Sequence, residues 1–566
     1  KPSSAASDVY KRQSLAALSV SVVFAISGIP AYAGEAEADP FGKYEETLDV
    51  HFVRATDDTI ETYALGNLPG QTLEDNFWLD TYRDELGINV VYDWIVKGDD
   101  EYSQKINITI ATGELPDIMS VTATQMVQLA EADLIADISD VYEAYAADFT
   151  KETLTQEGDD PFLAASIDGK MYGLPVTGGS VDSVDLMWIR QDWLDALGLD
   201  VPRTWDELAE VAKAFVTRDP DGNGENDTIG ILGPGNSDHM NAVGGNQFGL
   251  DPLFSCFQSY PQYWLKSEDG SVEYGSIQPE TKTALENISK LYADGVIDPE
   301  TLVRSDSKEP LLAGKVGIFF GPWWCAYTFA DTTLSGSADW RAYFTPLSED
   351  GKYYTHMAEP TTQYVVASKD CKNPEAAFKI INYLVANEQK WVEEGVTSTE
   401  MGTGDFYPLY NTYDNADEIE KSYEALTKYL AGDISMDDVD FSTHKLLKND
   451  MEAVTKLKKK PYDDFSLKYW NLDSDLAKTN LPRLVAIMVG DAPLVNEEYV
   501  PVYNAYNGQT ETMEAKWANL KKMEEETFAK IIMGKADISE FDTFVKNWKN
   551  QGGDQILKEI NDELSK

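Results

Sequence analysis

Residues 75–96 read DNFWLDTYRDELGINVVYDWIV. The first part predicts a helix closed by Gly87, and the remainder a strand that starts at once on the other side of that glycine. Upstream, TLDVHFVRA (47–55) alternates as a strand does. Downstream, EYSQKINITIATG predicts a helix ending at Gly113, and LPDIMSV a short buried strand. Strands and helices therefore take turns, the pattern of parallel βαβ units and an α/β fold.

The pattern continues beyond this block. LMWIRQDWLDALGL (186–199) opens a second one. Thr204 and Glu207 have capping-box spacing ahead of WDELAEVAKAFV, which carries Leu208, Val211, Ala212 and Phe215 on one face. TKTALENISKLYADG (281–295) predicts a helix stopped by Gly295. KVGIFF (315–320) predicts a buried strand that delivers GPWWCAY, and YVVAS (364–368) another, with Asn373-Pro374 starting the helix after it. Residues 400–480 are charged and irregular, an elaboration, and from Met513 onward the reading is helical.

Composition bounds the function. Of 566 residues 43% are hydrophobic, enough for more than one lobe, and 46 basic against 98 acidic side chains give a formal charge of −52. A surface of that sign repels nucleic acid, so no nucleic-acid partner is expected. Cys256, Cys325 and Cys371 are too scattered for a disulfide framework or a zinc site, and the four histidines form no HExxH. Lys11 and Arg12 precede an apolar run ending in Ala31-Tyr32-Ala33, so residues 1–33 are expected to be a secretory leader. No lipobox cysteine follows it. The mature protein is expected to be exported, soluble and monomeric.

Two motifs carry chemistry. RDPDGNGENDTIG (218–230) places oxygen-bearing side chains at Asp219, Asp221, Asn223, Glu225 and Asp227. Scored as an EF-hand loop from Asp219, it fits at positions 1, 3, 5, 6, 7 and 9, but position 12 falls on Gly230, so a rigid structural Ca2+ site is expected rather than a sensor. The competing reading is an ordinary turn rich in Asp, Asn and Gly. Trp323 and Trp324 follow a glycine-proline turn at a strand end, where α/β folds bind ligands; two exposed indoles there would suit the apolar face of a sugar. Signatures of a P-loop, a dinucleotide fingerprint and a nucleophile elbow are missing, and no carboxylate pair stands out. No enzyme is expected.

The blocks YSQKINITIATGELPDI, LAEADLIADI, DGKMYGLP, LMWIRQDWLDALGLDVPRTWDELAEVAKAF, ALENISKLYADGVIDPE and AGKVGIFFGPWW together resemble the family 1 extracellular solute-binding proteins of ABC importers, most of all their long carbohydrate-type members. The resemblance implies a two-lobed, type II periplasmic-binding-protein fold with ligand held between the lobes. It implies a leader at 1–33, first-lobe segments at 34–183 and 350–430, and a second-lobe segment at 184–349. Residues 431–566 would be an elaboration followed by the helical C-terminal part of the second lobe. It also implies an oligosaccharide ligand and a membrane permease partner.

For the site, the GPW step is similar to the one in maltose-binding protein, where the tryptophan stacks on sugar, which points to Trp323. By chain order Thr122 and Gln125 would lie at a first-lobe strand end, and Ser237, Asp238, His239 and Asn241 in a second-lobe cleft loop. Tyr503 and Tyr506 would belong to a late aromatic segment. Long relatives that bind uronate-rich sugars carry a similar calcium loop with a further acidic ligand where this chain has Thr228, so a weaker site is implied. An oligopeptide binder and a secreted glycosidase or lyase are the alternatives.

Overall fold

The computed structural model describes residues 38–566, apart from 58–59, 62–64, 66–67, 157–159, 178–179, 236–246, 268, 359–360, 362, 394–406, 410–415, 442–445, 458–474, 509 and 565–566. The expected leader and the four residues Ser237, Asp238, His239 and Asn241 lie outside the described residues. Residues 39–566 form one compact unit. The strands that build its two main sheets and the pair joining residues 354–357 and 500–503 are β1 (Leu48–Thr56), β2 (Ile88–Lys97), β3 (Ile118–Val121), β4 (Leu174–Pro175), β5 (Leu186–Arg190), β6 (Ile229–Ile231), β7 (Val316–Gly321), β8 (Trp340–Tyr343), β9 (Tyr354–Met357), β10 (Tyr364–Ala367) and β11 (Val500–Tyr503).

Two sheets define two lobes. The first has the order β2-β1-β3-β10-β4. β1 runs parallel to β2 along its whole length and parallel to β3, while β10 is antiparallel to β3 and β4. The helix after β2, Asp99–Thr112, ends on Gly113 in the left-handed region at φ +72°, which leaves room for the chain to turn back into β3.

The second sheet has the order β8-β5-β7-β6, with β7 antiparallel to β5 and parallel to β6. β5 and β7 are buried along their entire length, because each face of this sheet carries its own core. Alternate side chains of β5 serve opposite cores: Leu186 and Trp188 pack with Phe329, while Met187 and Ile189 pack with Phe215. The helix Trp205–Thr217 begins with the predicted capping box of Thr204 and Glu207 and lies against β7. It comes so close that a Cβ on Gly317 would stand 2.3 Å from Phe215 and 3.0 Å from Trp193. Only glycine fits there.

The chain crosses from the first lobe to the second between β4 and β5, and returns between β9 and β10. These two connections run side by side: the Val176 N–H donates to the Gln363 carbonyl at 3.0 Å, and the Ala358 N–H to Ser183 Oγ at 2.8 Å.

The expected first-lobe segment at 350–430 needs correction. β9 pairs in parallel with β11, and the helix Glu418–Ala431 inserts Ile419, Tyr423 and Leu426 into the core containing Trp188 and Phe319. From this segment, β10, the helix Glu375–Glu393, Tyr407 and Leu409 pack with the first lobe. The reason is in the packing face: Ile419, Tyr423 and Leu426 make a stripe at helical spacing that needs an apolar surface, and the second lobe supplies it. Among the described residues, no helix is long and apolar enough to cross a membrane.

Candidate functional site

β7 ends at Gly321, and Pro322 turns the chain into a short helical turn, Trp323–Cys325. Both indoles of this turn reach one residue of the interlobe connection. Trp323 Nε1 donates to Asp182 Oδ1 at 2.8 Å, and Trp324 Nε1 to the Asp182 carbonyl at 3.1 Å. The sequence reading expected two exposed indoles. Instead Trp323 is only 8% exposed and packs in the second-lobe core, and Trp324 is half-buried. A tryptophan buries its large ring whenever a neighbouring core has room and its N–H finds an acceptor, and here both conditions hold. Trp324 is therefore the indole of the pair with more surface to offer.

Asp182 was missed from sequence because nothing local marks it. It stands in the turn Ser180–Ser183, exposed, and becomes notable only when β7 brings the indoles to it. Behind the tryptophans the segment Ala486–Gly490 packs so tightly that a Cβ on Gly490 would stand 2.6 Å from the Trp323 carbonyl oxygen. Next to it Asp491 is fully buried, and neither carboxylate oxygen has a hydrogen-bond partner among the described residues. Burial, then the charges of Glu420 and Asp182, push its carboxyl up to about 8. The site thus combines the half-buried face of Trp324 with the exposed carboxylate of Asp182, an aromatic surface beside an acceptor, which suits a ligand bearing hydroxyl donors.

Thr122 and Gln125 do stand at a strand end, directly after β3, but they are engaged with each other. Thr122 Oγ1 accepts from the Gln125 N–H at 3.3 Å and Gln125 Oε1 from the Thr122 N–H at 3.0 Å, a capping box opening the helix Ala123–Glu131. Gln125 Nε2 also donates to Asn107 at 2.8 Å. Tyr503, at the end of β11, is 49% exposed. Tyr506 is a correction: it lies in the second-lobe core, 7% exposed, with its hydroxyl donating to Glu563 at 2.9 Å. A late aromatic-rich segment has no local feature that separates a cleft tyrosine from a core one.

The loop at 219–227 turns through left-handed conformations at Asp219, Gly222 and Gly224. Gly224 N–H donates to Asp219 Oδ2 at 3.0 Å, and Asn223 Nδ2 donates to Asp221 Oδ2 at 2.9 Å and to Asp227 Oδ1 at 3.2 Å. Lys315 Nζ lies 3.0 Å from Asp227 Oδ2. The Asp221 carboxyl is raised, first by burial and then by the Asp219 and Asp227 charges, whereas Lys315 holds that of Asp227 below its usual range. Among the described residues, no three His, Cys, Asp or Glu side chains are arranged as a ready metal-holding group. The donor chemistry, all oxygen and mostly carboxylate, fits a hard cation, and the crowding at Asp221 is what a cation would relieve.

Comparison with known proteins adds to this geometry. The profile of the bacterial extracellular solute-binding protein family matches residues 69–391. The chain is 29% identical over 271 residues to lipoprotein LipO of Bacillus subtilis, covering 46% of this chain and 49% of LipO. It thus spans about half the length of that relative. With the polygalacturonan/rhamnogalacturonan-binding protein YtcQ of the same organism it shares 24% identity over 469 residues, 80% of this chain and 82% of YtcQ. Among solved structures, the Streptococcus pneumoniae ABC-transporter substrate-binding protein FusA, an EF-hand mutant in complex with fructo-nystose, superposes with a TM-score of 0.57 at 17% identity, covering 92% of this chain and 99% of FusA. That last likeness establishes the fold.

Proposed function

The chain belongs to the bacterial extracellular solute-binding proteins, and from that premise we propose that it captures an oligosaccharide between its lobes and hands it to the permease of an ABC transporter. The observation that carries this reading is the attachment of both indoles to Asp182, since it puts an aromatic face and a carboxylate on the connection between the lobes. Open and closed arrangements interconvert, and a sugar touching both lobes favours the closed one, which the permease reads. No bond is made or broken. The protein works outside the cytoplasm as a monomer, with residues 1–33 as its cleaved leader. Calcium, held by Asp219, Asp221, Asn223, Glu225 and Asp227, fastens the second-lobe loop and takes no part in chemistry.

Thermal unfolding against neutral and uronic oligosaccharides and short peptides tests the reading. A ligand at a hundredfold excess over its dissociation constant stabilises the native state by about 2.7 kcal/mol. An upward shift with one glycan class supports the proposal and identifies the cargo. Shifts with peptides alone would make the chain a peptide binder, and sustained release of reducing ends from a polysaccharide would make it an enzyme.

A further inference from the structure

We propose that Lys315 is a built-in counter-ion of the 219–227 loop, and that calcium binds there by exchanging with its ammonium at Asp227. The inference rests on the calcium reading above. Both oxygens of the Asp227 carboxylate are already taken by N–H donors: Oδ1 accepts from Asn223 at 3.2 Å, and Oδ2 faces Lys315 Nζ at 3.0 Å. Asn223 meanwhile turns its amide nitrogen, not its oxygen, toward Asp221 and Asp227, and its Oδ1 accepts from the Glu225 N–H at 2.6 Å. A cation takes only oxygen ligands from these groups, so Asn223 must turn over to offer its oxygen and release Asp227 Oδ1, and a divalent cation on that carboxylate repels the ammonium held at Oδ2, which favours its departure.

The surroundings allow that exchange. The Lys315 side chain is 45% exposed, so its stem is free to swing. Its backbone is not: the Lys315 carbonyl accepts from the Ile229 N–H at 2.8 Å, which fixes the start of β7 against β6. The movement is therefore confined to the side chain. Beside the loop lies a cavity of about 370 Å³ lined by Asp227, Lys315, Glu300, Arg304 and Glu309. Arg304 is already held by Asp298 at 3.1 Å and Glu300 at 3.0 Å. Glu309 gives a displaced ammonium an acidic neighbour on the same cavity wall. The resulting site discharges one bound positive charge for each calcium it takes up, which lowers its affinity relative to the same loop without the lysine.

The test is calorimetric titration of calcium into the full chain and its Lys315→Met variant, together with reductive methylation of Lys315 in the wild type, followed by mass spectrometry with and without calcium. Removing an exposed ion-pair partner of this kind is expected to tighten calcium binding roughly two- to fivefold. Calcium is expected to speed methylation of Lys315 at least about twofold, as a released amine reacts faster than a paired one. Binding by the variant where the wild type shows none would also support the exchange. Equal affinities, or Lys315 labelling unchanged or slowed by calcium, would overturn it while leaving the calcium site standing. If neither protein binds calcium, the calcium reading itself fails and the exchange falls with it. Unfolding midpoints of both proteins in chelator establish that the variant is folded.

Discussion

Trp323 and Asp182 are joined by a 2.8 Å hydrogen bond between residues from different parts of the second lobe's rim, one at the end of β7 and the other in the connection from the first lobe. The bond gives the two adjacent tryptophans unequal roles.

Trp323 is a core residue and Trp324 a half-buried one, so truncating them should separate stability from binding. Trp323→Ala is expected to lower the stability of the free protein by about 3–5 kcal/mol, as aromatic truncations in cores do. Trp324→Ala is expected to cost about 1 kcal/mol in the free protein and to weaken oligosaccharide binding at least about tenfold. Denaturant unfolding and calorimetry on both variants check the split. Equal losses of stability would mean that the two indoles share one role.

Asp491 should be a destabilising residue at neutral pH. Burial first, and then Glu420 and Asp182, raise its carboxyl to about 8, against an ordinary value of 3.8. A group with a raised folded pKa contributes stability that is fully present below its unfolded pKa and is lost as pH rises toward the folded one. Between pH 4 and 8 the wild type therefore loses stability at this residue, and Asp491→Asn does not. The variant is expected to gain about 2–4 kcal/mol over the wild type on going from pH 4 to pH 7. Urea unfolding at the two pH values measures it.

His356 works in the opposite direction. It is 2% exposed, neither ring nitrogen has a hydrogen-bond partner among the described residues, and Nδ1 lies 3.7 Å from Asp251 Oδ1. Burial lowers its pKa from 6.5 to about 3. With the folded value depressed, its contribution is present above pH 6.5 and is lost as the pH falls toward 3. Asp185 and Asp251, buried close by, are both raised by burial, so they favour acid where His356 favours neutrality. Against the wild type, His356→Gln is expected to lose about 2–3 kcal/mol less between pH 6.5 and 4.5. Parallel acid unfolding curves for the two proteins would contradict this.

Gly317→Ala should show how tightly the helix Trp205–Thr217 sits on β7. The added methyl meets the buried rings of Phe215 and Trp193, and overpacking of this kind costs about 1–3 kcal/mol. A denaturation midpoint shifted downward with an unchanged slope is the expected result.

What the sequence determined by itself was local and periodic. The helix ending at Gly87, the capping box of Thr204 and Glu207, the buried strand before Gly321 and the alternation of strand and helix all depend on residues a few positions apart, and the structure has each of them. Hence the α/β, two-lobed fold and the family were legible before any coordinates. The site was legible only as a strand end carrying two tryptophans.

The tertiary structure decided which side chains face inward and which distant residues meet. It buried Trp323 and Tyr506 and attached the helix Glu418–Ala431 to the second lobe. It also brought Asp182 to Trp323, His356 to Asp251 and Lys315 to Asp227. Burial and pairing of this kind depend on how whole elements pack, and chain spacing carries no record of a partner that lies many residues away on another element.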